Sequence, residues 1–161
     1  MKRVLDARRH VLLRYGGDSI DHPTAAVNLA ALVQVAADKP GQRILNSADP
    51  DAPSVRDLSR AITAVLSHEW SEELLGSEAP ANLGRTPWDA EFPIVLDTTA
   101  SLQLGYRPVG TYDETVRAEV QWLCDIALTD GEVGLPAPFD HEFFADFFDY
   151  DAEDRYLASH D

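Results

Sequence analysis

Lysine, cysteine and long apolar runs are all scarce in this 161-residue sequence, and each shortage excludes a class of function. The single Cys124 cannot form an internal disulfide, and one cysteine cannot build a structural zinc site; beside Leu123 on an apolar helix face it reads as packing. No glycine stands two positions from another, which removes the Gly-x-Gly-x-x-Gly turn of dinucleotide binders, and no Gly-Lys pair exists to form a P-loop. Lys2 and Lys39 are the only lysines and neither follows a tyrosine by four positions, so the Tyr-x-x-x-Lys pair that oxidoreductases use for proton transfer is missing. Gly17-Asp-Ser-Ile-Asp21 lacks the closing glycine of a nucleophile elbow. His68-Glu69 and His141-Glu142 both lack the second histidine of a His-Glu-x-x-His zinc helix. The sequence therefore offers no catalytic, cofactor-binding or metal-ligating residue. No run approaches the ~18 apolar residues of a membrane span, and Met-Lys-Arg-Val-Leu-Asp is not a signal peptide, so the expected location is the cytoplasm.

Positive charge is also scarce. The sequence carries 13 Lys+Arg against 28 Asp+Glu, a net charge of −15, which argues against nucleic acid and anionic membranes as partners because both are gathered by a positive field. The imbalance is segmented: residues 1–47 hold 7 basic and 4 acidic side chains, residues 48–136 hold 5 and 16, and residues 137–161 hold 1 and 8. Only the N-terminal stretch has the sign to face an anionic ligand. What is present in normal measure is apolar content, 45%, enough for a core that needs no covalent staple at this length.

The pattern along the chain is mixed α/β. A helix-like Lys2–Arg8 stretch has no N-cap before it, so the sequence reads as entering part-way through an element, as a piece of a longer protein would. His10–Arg14 reads as a strand followed by a Tyr15–Asp18 glycine turn. Helical spacing of Ala25, Leu29, Leu32, Val33 and Ala36 predicts a helix over 24–38, closed by Pro40-Gly41. Arg43–Asn46 reads as a buried strand and Ser54-Val-Arg-Asp57 as a capping box opening a helix with Val55, Leu58, Ile62, Val65 and Leu66 on its apolar face. Residues 70–84 are irregular and Gly84–Trp88 is an extended loop. Pro93–Leu96 reads as a strand running into a short helix with Asp97 as N-cap and Gly105 just past its end. Thr111-Tyr-Asp-Glu114 is a second capping box, opening a helix with Val116, Val120, Leu123 and Ala127 on one face. Residues 131–138 form a breaker-rich linker.

Four stretches in this order carry a resemblance. They are Ala26-Val-Asn-Leu-Ala30; Arg43–Asn46 with Pro53-Ser-Val-Arg-Asp-Leu58; Leu96-Asp97 running to Leu104-Gly-Tyr-Arg-Pro108; and Val120-Gln-Trp-Leu123. Together they resemble the C-terminal half of the NAD-dependent epimerase/dehydratase family, the extended short-chain dehydrogenase/reductases. The resemblance implies an α/β substrate-binding lobe over residues 1–136 whose Rossmann cofactor domain is largely absent, with residues 137–161 as an acidic, Phe-rich tail. It implies NAD(P) as cofactor of the complete enzyme, none bound by this chain alone, and a small-molecule substrate of the sugar-nucleotide kind. Catalysis by a tyrosine acid/base and hydride transfer would then need the missing half. Asn28 stands where the family has the second of two aspartates, and the approach Ser19-Ile-Asp-His-Pro23 lacks the family's arginine.

Within that lobe the substrate-contact candidates are Arg85 and Trp88, a guanidinium and an aromatic face suited to an anionic, ring-bearing ligand, with His22 as a further candidate. The plainer alternative pairs Arg85 with a nearby carboxylate and puts Trp88 in the core. Arg107 reads as a turn residue. The Phe-rich tail, residues 139–161, either docks a protein partner through the Phe143, Phe144, Phe147 and Phe148 stripe or folds back on its own domain. The first possibility motivates a different function, a non-catalytic acidic binding protein acting through a partner.

Overall fold

The computed structural model describes residues 1–130 and 147–160. It is a small mixed α/β domain, mostly helical, with a two-stranded parallel sheet. After a short helix α1 (Lys2–Leu5), strand β1 (His10–Leu13) buries Val11, Leu12 and Leu13 to 4%, 1% and 2% exposure. Such a continuous apolar run belongs to a strand covered on both faces, and the structure covers both. Val11 and Leu13 pack with Val55 and Trp70, whereas Leu12 packs with Leu75, Leu83 and, from the tail, Ala152, Tyr156 and Leu157. Each fully buried leucine here contributes about 1.5–3 kcal/mol.

A tight turn, Arg14–Gly17, follows β1, with Gly16 and Gly17 at φ 66° and 78°. A Cβ on Gly17 would sit 3.0 Å from the Arg56 Cβ, so the glycine both supplies the left-handed turn and lets the chain approach the helix that carries Arg56. Helices α2 (Ala26–Asp38) and α3 (Val55–Leu66) then carry the chain back to β2 (Ser71–Leu74), which pairs parallel with β1 from His10↔Ser71 to Leu13↔Leu74. The Ser54–Asp57 capping box forms as predicted: Asp57 N–H donates to Ser54 Oγ and Ser54 N–H to Asp57 Oδ2, both at 3.2 Å. Helix α4 (Thr99–Leu104) stops at Gly105, and α5 (Tyr112–Asp130) packs along α3 and buries Val120. Glu114 accepts from Thr111 N–H at 2.9 Å, and Asp51 from Tyr112 N–H at 3.0 Å, so two carboxylates quiet the start of α5.

Four expectations from the sequence need correction. Arg43–Asn46 is not a strand, and Ile44 is 94% exposed; β-propensity gives way because this stretch has no ladder to join and is tied instead by side chains, Ser101 Oγ donating to Asn46 O at 2.6 Å and Asn46 Nδ2 to Asp97 O at 2.9 Å. Pro93–Leu96 makes only one parallel bridge, Asp21↔Ile94. The ladder stops there because the next donor, Leu96 N–H, goes to Nδ1 of the His22 ring at 3.1 Å and not to a backbone carbonyl. Conversely, the irregular stretch after Trp70 contains β2, whose Ser-Glu-Glu-Leu sequence carries no strand signal. It pairs because β1 offers its backbone and because Arg56 and Arg60 hold Glu72 at 2.6 and 2.7 Å. Finally, α2 turns Asn28 and Leu32 inward and leaves Leu29 and Val33 about half exposed.

The described part of the tail folds back on its own chain. Helix α6 (Tyr150–Ala158) lies against the Leu12 face of β1, and Phe147 is buried. Arg3 bonds both oxygens of the buried Glu153 at 2.7 and 2.6 Å and donates to Phe147 O at 2.7 Å. Arg8 pairs with Asp154, and Tyr150 donates to Asp6. Arg3 and Arg8 of the basic N-terminal stretch therefore face the described part of this chain's own acidic tail. Phe143, Phe144, His141 and the linker 131–138 lie outside the described residues. No helix among the described residues is long and apolar enough to cross a membrane.

Candidate functional site

Helix α3 presents Val55, Leu58, Ser59 and Ile62 on one face, the i, i+3, i+4, i+7 set of a buried stripe. That face and the Val11/Leu13 face of β1 form two walls of a cavity of about 520 Å³. Trp70 and Leu123 close it further in, and Phe147 and Phe148 close it from the tail. The segment Arg85–Trp88 forms its rim, so the two residues singled out as substrate contacts line one space. Trp88 is 40% exposed and so is not a core residue, and the Arg85 guanidinium lies over the Phe147 ring, 5.2 Å from its centroid.

Thr86 sets the rim's shape. Its hydroxyl accepts from Trp88 N–H at 3.2 Å and donates to Asp89 Oδ1 at 3.1 Å, while Asp89 N–H returns to Thr86 O at 3.2 Å. This local turn holds the Trp88 backbone and places Asp89 behind the rim. Burial pushes the Asp89 carboxyl above its usual range, against the Thr86 hydrogen bonds and the charges of Arg85 and Arg14.

The described lining is apolar apart from Lys2, Arg3, Ser59, Arg85 and Thr86. Lys2 is paired with Asp6 and Arg3 with Glu153. Ser59 is different. It is 9% exposed and its hydroxyl has no hydrogen-bond partner among the described residues, an arrangement that costs about 1–3 kcal/mol. Sequence reading named its neighbours and passed over it, yet the signal was present: a hydroxyl at the centre of an apolar helical stripe.

His22 lies elsewhere. Leu96 N–H donates to its Nδ1 at 3.1 Å, so Nε2 carries the proton and donates to Asp49 O at 2.9 Å. Both ring nitrogens are occupied in tying residues 22, 49 and 96 together, a structural duty. Beside it lies a buried polar knot that sequence reading also missed. Asn28, 0% exposed, accepts from Val109 N–H at 2.7 Å and donates to Gly110 O at 2.8 Å and to Asp49 Oδ1 at 2.7 Å. Asp49 Oδ1 also accepts Ala25 N–H at 2.7 Å and so caps α2 from a distant loop. An amide is needed at position 28 because an aspartate there could not donate to Asp49. Burial and the Asp49 charge raise the pKa of Tyr106.

The described residues do not fit a dinucleotide. Gly16-Gly17 follows a strand but leads into extended chain, and the N-terminus of α2 already holds the Asp49 carboxylate where a pyrophosphate would need to sit. No group of three or more His, Cys, Asp or Glu among the described residues could hold a metal ion. No protein-family model matches the chain, and no curated protein is significantly similar to it.

Proposed function

We propose that this chain is the substrate-binding half of an NAD(P)-dependent epimerase/dehydratase-like reductase and is not competent for hydride transfer alone. The observation that carries the reading is the cavity in which Arg85 and Trp88 meet beside β1. The parallel β1–β2 pair, joined through helices, supports it, because parallel strands with helical crossovers normally belong to larger sheets with both faces covered. NAD(P) and the tyrosine acid/base would be held by the complementary domain, which completes the reaction when it docks.

The test is the size and company of the native protein in cells, read by immunoblot with an antibody against residues 150–158 and by mass spectrometry of what co-purifies. A product larger by a cofactor domain of ~150 residues, or a stable complex with a separate dinucleotide-binding chain, is the expected result. A product of 17.7 kDa that purifies without such a domain overturns the reading. That outcome favours the alternative, a non-catalytic acidic protein acting through a partner. The described tail weighs against that alternative, since Phe147, Tyr156 and Leu157 are spent on this chain's own packing.

A further inference from the structure

We infer that the two ends of the chain form a clasp over the cavity, with Arg3 as its latch, and that this clasp governs access to the space inside. The inference deepens the proposed function by naming what regulates its site, and it rests on that reading for the cavity's use. Most of the described lining comes from the interior of the fold, from β1, α3, Trp70 and Leu123. One wall is different: Met1, Lys2 and Arg3 enter it from one end of the chain, and Phe147 and Phe148 from the other. The tail reaches that wall by crossing β1. Ala152, Tyr156 and Leu157 of α6 pack with Leu12 on one face of the strand, while Phe147 and Phe148 line the cavity walled by Val11 and Leu13 on the other. The crossing falls at Asp149, which caps α6 by accepting from Ala152 N–H at 3.0 Å.

A capped helix on one side of Asp149 and a two-residue wall on the other are two parts, and Arg3 holds both. Its guanidinium bonds the Glu153 oxygens at 2.7 and 2.6 Å on the helix side and donates to Phe147 O at 2.7 Å on the wall side. It also lies 5.7 Å from the Phe148 ring centroid and 5.5 Å from that of Tyr150. A planar fork of donors suits such a bridge, where a single ammonium does not. The energetics make the latch specific without making it strong. Glu153 is 3% exposed, and a desolvated ion pair adds little net stability because dehydration of both charges offsets their attraction. Opening returns both charges to water, while the apolar contacts of α6 with Leu12 keep the helix in place. The wall therefore parts as a local unit, at a free energy below that of global unfolding.

Acrylamide quenching of Trp70, which lines the cavity, reads the clasp in the full chain carrying Trp88→Phe and Trp122→Phe, so that Trp70 is the sole indole. Adding Arg3→Met/Glu153→Met removes the bridge together with the charge it would leave unpaired. The quenching constant should then rise about twofold, with the circular dichroism spectrum unchanged. Arg3→Lys, which keeps the charge and loses the fork, should fall between the two, and it decides alone if the double variant does not fold. An unchanged quenching constant in the folded variants overturns the inference. So does a rise that comes with loss of helical signal, because the wall is then not a separate part. Failure of both variants to fold overturns it as well, because Arg3 is then a determinant of the fold and not a latch. None of these outcomes decides the substrate-lobe reading, which the cellular size measurement settles separately.

Discussion

The part of the molecule built around β1 and the part built around α2 are held by different forces. Around β1, apolar side chains are buried on both strand faces, and the charges that close the structure, Arg3 with Glu153 and Arg8 with Asp154, join the two ends of the chain. Around α2 the ties are polar: Asn28 with Asp49 and the 109–110 backbone, His22 with residues 49 and 96, Ser101 with Asn46, and Lys39 Nζ with Leu104 O at 2.5 Å. There the large apolar residues point outward, among them Val33, Ile44, Phe92, Val95 and Val109, all more than half exposed. One region is thus stabilised by what it removes from water, the other by hydrogen bonds made between loops. The contrast teaches that an apolar residue count does not measure a core, since the second region has the residues and buries few of them, Leu32 and Tyr106 among those few.

Substitutions can break this contrast in order of effect. Asn28→Asp sets a second carboxylate against Asp49 and removes two donors from a fully buried site, so it should cost about 4 kcal/mol, read as a fall in the urea midpoint. If the loss stays under about 1 kcal/mol, the polar knot does not hold the α2 region. In the other region Leu12→Ala should cost about 3 kcal/mol by the loss of transfer energy and the cavity it leaves. Glu153→Gln strips the charge from a buried partner of Arg3 and should cost about 3 kcal/mol, whereas the double variant Arg3→Met/Glu153→Met should recover most of it, because the pair's desolvation penalty then disappears. A double variant as unstable as the single one would show that geometry and not charge is what counts there.

The smallest effects sharpen the comparison. Ile44→Ser removes a 94% exposed side chain and should shift stability by less than about 0.5 kcal/mol, with reduced binding of an apolar dye as the positive readout. Acid should act mainly on the β1 region. Arg60 and then Arg56 hold Glu72 below its usual carboxylate range, and Arg8 does the same for Asp154. A carboxylate whose folded pKa is depressed stabilises the fold above the unfolded pKa, and this is lost as the pH falls through the folded value. Asp89 has the opposite sign, because its raised pKa means the fold binds that proton more tightly and loses stability as pH rises through the carboxylate range. Urea midpoints measured from pH 7 to pH 3 should therefore fall in the wild type and fall less in Arg60→Met, which has already lost a Glu72 partner.

Legibility in the sequence followed how local each signal was. The Ser54 capping box, the Gly105 stop, strand β1 and helices α2, α3, α4 and α5 were all readable because caps, breakers and periodicity act within a few residues. Strand β2 was not, since Ser-Glu-Glu-Leu becomes a strand only through β1 and the arginines of α3. Arg85 and Trp88 were legible as a pair worth noticing. That they share a cavity with Ser59 was not, because the stripe of α3 says which face is buried and not what it faces.

The sequence by itself determined the helical segments, their ends, the apolar β1, and the absence of a Gly-x-Gly-x-x-Gly loop, a P-loop and a Tyr-x-x-x-Lys pair. Only the tertiary structure decided which apolar runs became strands, that Asn28 and His22 serve as structural ties, that Glu153 and Asp154 of α6 pair with Arg3 and Arg8, and that α3 and the rim enclose a cavity. The physical reason is the range of the forces: capping and periodicity are settled between neighbours in sequence, whereas strand pairing, ion pairing of the chain's two ends and the walls of a cavity need residues brought together from far along the chain.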